Sequence, residues 1–388
     1  MLQEIMLTIL RRKRKMEYRI CKRCVMDTSD PTIQFDENGF CNHCRDAIKN
    51  KPATLNEKNH ESFHKMIAML KEEGKNKKYD CILGISGGID SSYLAYLLSK
   101  EGLRILGIHI DAGWDTEISS KNLEKLSSAC KIDLKTIKIN ENEMMDLQRA
   151  YFFAQVINQD VPQDHAFFAE LYHYMIKEKQ KYFISGHNWV TESITPLAWG
   201  FDAYDSTNIK DIHKKYGKIK LEEYPFISFF ENRIKIPYIY KIKKLRPLNC
   251  IDYNPSEALK ILEKEVGFQY YGSKHNESVF TRLLQTYIQP KKYGFEKRRA
   301  HLSSMIVSGL ITREEALKIL DQPSESKEQI EKDITFVIKK MQISREEFDK
   351  IINSKEVTDH LQFKNNKKKE ESFQKLRTIL KKNKKGMR

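Results

Sequence analysis

The hydrophobic positions between residues 79 and 186 change their period several times along the chain. Short apolar runs alternate with stretches in which apolar residues recur at helical spacing. In chain order these are YDCILGI, SSYLAYLLSK, RILGIHID, a helix predicted around 116–130, LKTIKIN, helical stretches to about 180, and YFISG. Strands that alternate with helices of this length predict an α/β fold, a doubly wound and mostly parallel sheet with helices on both faces.

The pattern becomes less regular after residue 200. Residues 200–255 mix aromatic, basic and proline-containing segments without a clean period, which predicts an irregular insertion or lid. Helical spacing returns over residues 256–320, where one helix stops at Gly267 and another starts at Thr312, with Glu315 completing a capping box. The lysine-rich end of the chain predicts a frayed helix or a tail.

The positive charge of the chain is concentrated at its two ends. Of the formal net charge of +15, residues 1–20 carry +4 and residues 361–388 carry +9, which leaves +2 for all the residues between them. Basic tails are more often solvated, disordered segments than nucleic-acid sites. Nucleic acid is therefore not expected as a partner.

The apolar segments of the chain are short. No run of about 18 apolar residues occurs, so no membrane span is predicted. At the N-terminus the basic cluster, residues 11–15, follows the apolar residues, which is the reverse of a secretory signal. We expect a cytoplasmic protein.

The segment SGGIDSS joins the first predicted strand to a helix expected to begin at Ser91. Gly87 and Gly88 allow the backbone to approach a ligand closely, and the hydroxyls of Ser86, Ser91 and Ser92 add hydrogen-bond donors. Backbone N–H groups and the helix dipole favour negative charge at such a turn. The segment lacks the lysine of a Walker A loop, and it resembles the PP-loop of the ATP pyrophosphatase superfamily, which cleaves ATP between the α and β phosphates.

Other residues near the ends of the predicted strands are candidates for the same site. Asp90 either holds Mg²⁺ over the phosphates or caps the helix. Asp111 and Gly113 follow the second strand, and Gly186, His187 and Asn188 follow YFISG, where the superfamily places its nucleotide contacts. For His187 a structural role is the alternative.

Four of the seven cysteines form two CxxC pairs separated by sixteen residues, Cys21, Cys24, Cys41 and Cys44. Two such pairs can present four thiolates tetrahedrally, which predicts a structural Zn²⁺ ribbon. The alternatives are an iron–sulfur centre and four cysteines that are free or disulfide-bonded.

The motifs taken together resemble the N-acetyl sugar amidotransferase family over residues 17 to 320. The segments that carry the resemblance are CKRCVMDTSDPTIQFDENGFCNHC, SGGIDSS, HIDAGW, SGHNW, STNIKDIHKKYGKIKLEEYP, YGSKHNESVFTRLLQ and YGFEKRRAHLSSMIVSGLITREEAL. The resemblance implies conversion of an acetamido group of a bacterial surface sugar to an acetamidino group. That sugar is a nucleotide-linked sugar or a nonulosonic acid of the pseudaminic or legionaminic type.

The resemblance also implies a reaction and its participants. The amide oxygen attacks the α phosphorus of ATP, and ammonia then displaces AMP from the O-adenylyl imidate, with ATP and Mg²⁺ as cofactors. His187 or His275 would deprotonate ammonium, and Lys274 is a further candidate. In the basic cluster around residues 291–299, Lys292 and Arg298 either contact phosphates or form a solvated helix face.

The chain has no convincing glutaminase domain. The resemblance implies that ammonia comes from a separate glutaminase, together with a cyclase-like subunit. Two other functions remain open, a tRNA-modifying enzyme that thiolates or aminoacylates an adenylylated base, and a non-catalytic zinc scaffold. The predicted parts are a disordered extension at 1–15, a zinc module at 16–50, a helical linker at 51–76, the ATP-binding domain at 77–200, a substrate or lid region at 201–325, and a basic helical tail at 326–388.

Overall fold

Five parallel strands form a sheet with the order β3-β2-β1-β4-β5. The strands are β1 Cys81–Gly84, β2 Ile105–Asp111, β3 Asp133–Lys138, β4 Tyr182–Ile184 and β5 Lys243–Leu245. The direction of winding reverses between β1 and β4, which are neighbours because Leu83 pairs with Ile184. Ligands of open α/β sheets bind beyond the carboxyl ends of the strands at such a reversal. The loops after β1 and β4 are therefore the expected place for a site.

The computed structural model describes residues 17–57, 60–272, 274 and 276–386, and for residues 380–386 the backbone alone. The predicted extension at 1–15 and the predicted catalytic residue His275 lie outside the described residues. The α-helices are α1 Asn42–Lys49, α2 Glu61–Gly74, α3 Ile89–Lys100, α4 Glu117–Cys130, α5 Glu141–Ala154, α6 Val161–Lys177, α7 Trp189–Glu192, α8 Ser206–Tyr216, α9 Pro255–Val266, α10 Val279–Leu283, α11 Arg298–Ser308, α12 Arg313–Asp321, α13 Lys327–Met341, α14 Arg345–Asn353 and α15 Lys367–Gly386.

Alternate side chains of β1 pack into two different hydrophobic cores. Ile82 belongs to a core that includes residues of α5 and α6, and Leu83 belongs to a core with residues of α2, α3 and α9. Helices thus cover both faces of β1, and all four of its residues are buried. The predicted doubly wound parallel sheet, with a helical C-terminal region, is confirmed.

Local start and stop signals are confirmed at two helices and corrected at one. Gly267, with a φ of +72°, ends α9 in the left-handed conformation that glycine adopts without strain. Thr312 and Glu315 form the predicted capping box of α12. The helix after the phosphate loop begins at Ile89 rather than Ser91, with Gly88 as its N-cap.

The segment predicted to be an irregular insertion contains regular structure. It holds α8, a π-helix at Glu231–Ile239 and the edge strand β5. Two of the three residues of β5 are lysines, so the sequence carries no alternating apolar pattern there. Backbone pairing with β4 makes this segment a strand.

The boundary predicted at residue 325 is corrected by the packing of the helices that follow it. Ile334, Val337 and Phe348 are buried in the same core as α5. Arg282 forms a two-pronged ion pair with Asp333, with both nitrogen–oxygen distances 2.7 Å. Residues 327–353 are therefore part of the folded body, and the exposed basic helix is α15. Among the described residues, no helix combines the length and the apolar composition needed to cross a bilayer.

Candidate active site

A cavity of about 890 Å³ lies beyond the carboxyl ends of β1 and β4. Its walls come from the phosphate loop after β1, the turn after β4, the start of α6, the segment before α10 and the start of α11. Ligand cavities in proteins usually enclose about 300–1,000 Å³. A volume near the upper limit leaves room for a nucleotide and a second substrate.

The phosphate loop folds back on itself through its serines. Ser86 donates its backbone N–H to the Ser91 hydroxyl at 3.2 Å, and that hydroxyl donates to the Gly88 carbonyl at 3.2 Å. Gly87 has a φ of +83°, where other residues are strained. Ser86, Gly88, Asp90 and Ser91 line the cavity. The loop thus has the conformation of an anion-binding turn at the N-terminus of α3.

Ser92 does not reach the cavity. It is completely buried beneath the loop, and its hydroxyl has no hydrogen-bond partner among the described residues. The prediction that Ser92 donates to phosphate is corrected for this reason. Gly87 also lies outside the cavity wall, and its contribution is the left-handed turn.

Lys274 is the centre of a network of charged groups beside the loop. Its ammonium group donates to Asp90 Oδ2 at 2.8 Å, to Thr191 Oγ1 at 2.7 Å and to Glu192 Oε1 at 2.7 Å. Three acceptors use all three of its N–H donors. The segment before α10 is thereby fixed to both the phosphate loop after β1 and the end of α7.

This network shifts the ionisation of its members. Burial alone would lower the pKa of Lys274, but the carboxylates of Asp90 and Glu192 outweigh burial and raise the pKa above its usual value. Burial would raise the pKa of Glu192, but the positive charge of Lys274 and the hydrogen bond from His187 hold it well below the usual range. Both groups are therefore charged at neutral pH.

Of the two roles predicted for Asp90, the capping role is wrong. It lies in the first turn of α3, one residue after the start of the helix, and Gly88 is the N-cap. Its oxygens accept hydrogen bonds from Tyr253, from Asn188 at 3.2 Å and from Lys274. Three donors thus hold this carboxylate in place, and contact of Asp90 with Mg²⁺ stays a prediction. The observed role of Asp90 is to position Lys274.

The segment before α10 also covers the loop directly. The hydroxyl of Tyr271 accepts the backbone N–H of Ile89 at 3.1 Å, and the Ser86 hydroxyl lies 3.5 Å from Glu277 Oε1. Burial raises the pKa of Glu277 to about 7. An arriving phosphate competes with these two side chains for the donors of the loop.

The turn after β4 contributes three predicted residues in three different ways. Gly186 packs against the backbone of the phosphate loop and lines the cavity. Asn188 caps α7 by accepting the N–H of Thr191 at 2.9 Å and donates to Asp90. His187 lines the cavity and is paired with Glu192.

We expect Gly186→Ala to weaken ATP binding about 10- to 100-fold, corresponding to about 1–3 kcal/mol for an overpacked contact. A Cβ at this position would lie 2.9 Å from the Ser91 nitrogen and 3.1 Å from the Asp90 carbonyl carbon. These are backbone atoms, so the loop itself would have to move. Calorimetric titration with ATP measures the effect. Gly200→Ala, whose Cβ would meet nothing within 4 Å, is the control, and equal affinities in the two variants would contradict the prediction.

Of four other predicted residues, three lie outside the cavity wall, and the fourth lines the cavity with its charged group bound elsewhere. Asp111 accepts the N–H of Gly113 at 2.8 Å, and the two residues form the turn after β2 outside the cavity wall. Lys292 donates to Gln155 and to two carbonyls near the end of α14, also outside the wall. Arg298 lines the cavity, but its guanidinium binds Glu296 and the carbonyls of Ile319 and Gln322. Lys292 and Arg298 therefore hold helices together.

The four predicted cysteines form one buried cluster. Their sulfur atoms all lie within 4.8 Å of one another, with Cys21 and Cys44 at 3.9 Å and Cys24 and Cys41 at 3.5 Å. Four sulfurs at about 2.3 Å from one ion would be about 3.8 Å apart in a tetrahedron. The backbone N–H groups of Cys24 and Cys41 point at the Cys21 sulfur, which stabilises a thiolate. The set fits a metal ion bound by all four thiolates.

The metal module contacts the C-terminal helices rather than the cavity. Arg313 donates to the carbonyls of Cys21 and Cys24, each at 3.1 Å. Arg299 forms an ion pair with Asp27 at 3.0 Å. The module therefore supports α11 and α12, which in turn contribute to the cavity wall.

Several residues of the cavity were not predicted from the sequence. Glu192 lies three residues after the SGHNW motif, and this proximity could have indicated that it belongs to the site. Tyr253 and Tyr271 carry no local signal, since each acts through one hydroxyl on the phosphate loop. Asp160 and Asp164 lie four residues apart on either side of Pro162 at a helix start, which places both on one helix face.

Two parts of the chain match protein families. Residues 79–157 match the tRNA methyl transferase HUP domain, and residues 277–377 match the C-terminal domain of LPS biosynthesis protein WbpG-like proteins. The first match contains the phosphate loop, and the second begins at Glu277, beside that loop.

Curated relatives are similar over short segments. The tRNA(Ile)-lysidine synthase of Chlamydia felis is 38% identical over 56 residues, 14% of this chain and 17% of that protein. The tRNA-specific 2-thiouridylase MnmA of Colwellia psychrerythraea is 35% identical over 82 residues, 19% of this chain and 22% of that protein. The chain thus spans about a fifth of the length of these relatives.

Solved structures are similar at low sequence identity. The U34-tRNA thiolase NcsA from Methanococcus maripaludis has a TM-score of 0.34 and 16% identity, covering 79% of this chain and 90% of that chain. The NMN synthetase from Francisella tularensis has a TM-score of 0.30 and 15% identity, covering 74% and 98%. The two family matches, with the phosphate loop after β1, support a PP-loop domain of the ATP pyrophosphatase superfamily joined to an LPS-biosynthesis-like C-terminal domain.

Proposed function

We propose that this protein is an ATP-dependent amidotransferase that converts an acetamido group of a bacterial surface sugar to an acetamidino group. The observation that supports it best is that the two matched segments meet in one cavity. The HUP segment supplies Ser86 and Ser91, and the LPS-biosynthesis-like segment supplies Glu277 and Lys297. The phosphate loop and the LPS-biosynthesis-like segment therefore line the same cavity.

The proposed reaction has two steps. The amide oxygen of the sugar attacks the α phosphorus of ATP, the bond between that phosphorus and the bridging oxygen of the β phosphate breaks, and pyrophosphate leaves as the O-adenylyl imidate forms. Ammonia then adds to the imidate carbon, the carbon–oxygen bond breaks, and AMP leaves with the electrons of that bond. The backbone N–H groups and hydroxyls of Ser86 and Ser91 would stabilise the charge that develops on pyrophosphate. Mg²⁺, when bound, would neutralise phosphate charge.

The proposed assay combines ATP, Mg²⁺, ammonium chloride and a panel of N-acetylated sugars, both free and nucleotide-linked. We expect AMP and pyrophosphate to form, and mass spectrometry to detect a product in which NH has replaced the amide oxygen. Accumulation of ADP and orthophosphate would contradict the proposal, because the loop would then direct cleavage at the outer anhydride.

A tRNA-modifying function is the second candidate, because the relatives with short matches are a tRNA(Ile)-lysidine synthase and tRNA thiouridylases. It would use the same adenylylation on a base. Bulk tRNA added to the same assay distinguishes the two functions. AMP release that depends on tRNA and on none of the sugars would favour the second.

We further propose that ammonia comes from a separate glutaminase with a cyclase-like subunit, and that the ion in the cysteine cluster is structural Zn²⁺. The four thiolates leave no open position for chemistry on the metal. For the ammonia source, glutamine alone should support far less product than ammonium in the purified protein. Equal rates with glutamine and ammonium would remove the need for a glutaminase partner.

A further inference from the structure

A second group of charges lines the cavity away from the Lys274 network. Asp160 immediately precedes α6, and Asp164 lies one turn further along the same helix face. Lys297, immediately before α11, lines the same cavity. None of these charges forms a hydrogen bond or ion pair with the residues that hold Lys274 in place, although Lys297 lies within electrostatic range of Glu192.

Hydrogen bonds connect this second group to the segment that contacts the phosphate loop. Thr281 donates its hydroxyl to Asp160 Oδ1 at 2.9 Å, and Ser278 donates its hydroxyl to Gln163 at 3.1 Å. Ser278 directly follows Glu277, whose carboxylate reaches the loop serine. One short segment therefore touches both the phosphate loop and the start of α6.

Two members of the group have no direct partner in the part of the chain that the structure describes. Asp164 accepts no hydrogen bond and forms no ion pair, and the ammonium group of Lys297 likewise donates to no acceptor. Asp164 is exposed and Lys297 is partly exposed, and both side chains line the cavity. Their charges are therefore open to a ligand that enters the cavity.

The ionisation of the acids agrees with that position. Burial raises the pKa of Asp160 to about 6. Desolvation by the surrounding cavity walls, followed by the charge of Asp160, raises the pKa of Asp164 to about 7. A general base is most effective when its pKa is near the working pH, and these carboxyls satisfy that condition.

We propose that Asp160 and Asp164 bind ammonium in the cavity and remove the proton that makes it a nucleophile. This inference rests on the proposed function. Ammonium is a small cation with N–H donors on every side and no acceptor, so a pair of carboxylates is complementary to it. The Phe167 ring, one turn beyond Asp164 and also in the cavity wall, adds an apolar face that attracts cations.

The proton transfer balances within the proposed second step. An N–H bond of ammonium breaks, and its proton passes to a carboxylate oxygen of the pair. The nitrogen lone pair then forms the bond to the imidate carbon as AMP departs. Lys297 repels ammonium and attracts the phosphate of the departing AMP. The phosphate is therefore expected to lie towards Lys297 and ammonium away from it. His187, the histidine suggested earlier for this role, is instead paired with Glu192.

The test separates activation of the acceptor from transfer of nitrogen in the full-length, metal-loaded protein. The first measurement is exchange of labelled pyrophosphate into ATP, dependent on the sugar that gives most AMP in the panel. The second is the rate of amidine formation as a function of ammonium chloride. The variants are Asp164→Asn and Asp160→Asn. Glu170→Gln, on the same helix but outside the cavity wall, is the control.

We expect Asp164→Asn to lower amidine formation at subsaturating ammonium at least about 100-fold, the lower end for loss of a general base. Pyrophosphate exchange should stay within about twofold of the control. Hydroxylamine, which is uncharged at neutral pH, should restore much of the transfer rate because it needs no prior deprotonation. A structural role for Asp164 would not produce that rescue.

Two outcomes overturn the inference alone. One is unchanged ammonium dependence in both aspartate variants. The other is loss of exchange together with transfer, accompanied by a higher KM for the sugar, which would mean that the pair binds the acceptor. Absence of exchange in the unmodified protein with every sugar would instead overturn the proposed function, and with it the inference that rests on it.

Discussion

Cys24→Ser is expected to unfold the module at residues 17–50 and to release the metal. Binding of a structural zinc ion contributes on the order of 10 kcal/mol to folding in small metal-stapled modules. The module buries few apolar side chains of its own, because besides the four cysteines only Val25, Met26, Ile33 and Ala47 are buried among its described residues. The loss should reach the rest of the chain, since Arg313 and Arg299 bind carbonyls of this module.

The measurements are metal content by mass spectrometry and thermal unfolding of the full chain. The unmodified protein should hold one zinc ion per chain, and the variant none, with an earlier unfolding transition. Cys130→Ser is the matched control, because Cys130 is partly exposed at the end of α4 and lies outside the cluster. Retention of full metal content and an unchanged transition in Cys24→Ser would contradict the prediction. Detection of iron, together with visible absorption, would instead indicate an iron–sulfur centre in place of zinc.

Lys274→Met is expected to lower the rate of AMP formation at least about 100-fold and to lower the free energy of unfolding by about 3 kcal/mol. Removing one partner from a buried ionic network leaves the remaining charges unpaired, which costs about 3–5 kcal/mol. Here Asp90 and Glu192 would lose the positive charge that they share, and they lie next to the position proposed for phosphates. Asp90 would keep hydrogen bonds from Tyr253 and Asn188, and Glu192 would keep its pairing with His187. The negative charges of Asp90 and Glu192 would then repel each other and also the phosphates of ATP.

A second substitution distinguishes electrostatic from steric causes. Glu192→Gln in the Lys274→Met background removes one of the two negative charges, and it should recover part of the thermal stability without restoring AMP formation. Lys264→Met is the control, because the Lys264 side chain is 83% exposed on α9. Equal stability and activity in Lys274→Met and Lys264→Met would show that the network is dispensable.

The phosphate loop illustrates how a prediction can be correct in kind and incomplete in detail. The order of strand, glycine–serine turn and helix was predicted from contiguous residues, and the structure has it with Gly88 as the N-cap. The expected donation from Ser92 to phosphate and the expected capping role of Asp90 are both wrong. A hydroxyl can face the ligand or the interior depending on where the helix starts, and a two-residue shift of that start is enough to bury Ser92.

The basic residues show the opposite case. The run around residues 291–299 is one cluster in the sequence, yet its side chains go to different places. Lys292 binds carbonyls near α14, Arg299 binds the metal module, and Lys297 lines the cavity. Charge density along the chain therefore could not decide which of these residues is available to a ligand.

The sequence by itself determined the features that depend on neighbouring residues: the alternation of strands and helices, the glycine turn of the phosphate loop, the two cysteine pairs and the capping box at Thr312. Only the tertiary structure decided which distant side chains share the cavity, as with Asp90 and Lys274, which are 184 residues apart, and the strand character of Lys243–Leu245. The physical reason is that backbone conformation responds mainly to local sequence, whereas the position of a charged group at the end of a flexible side chain depends on every packing contact that places its helix or loop.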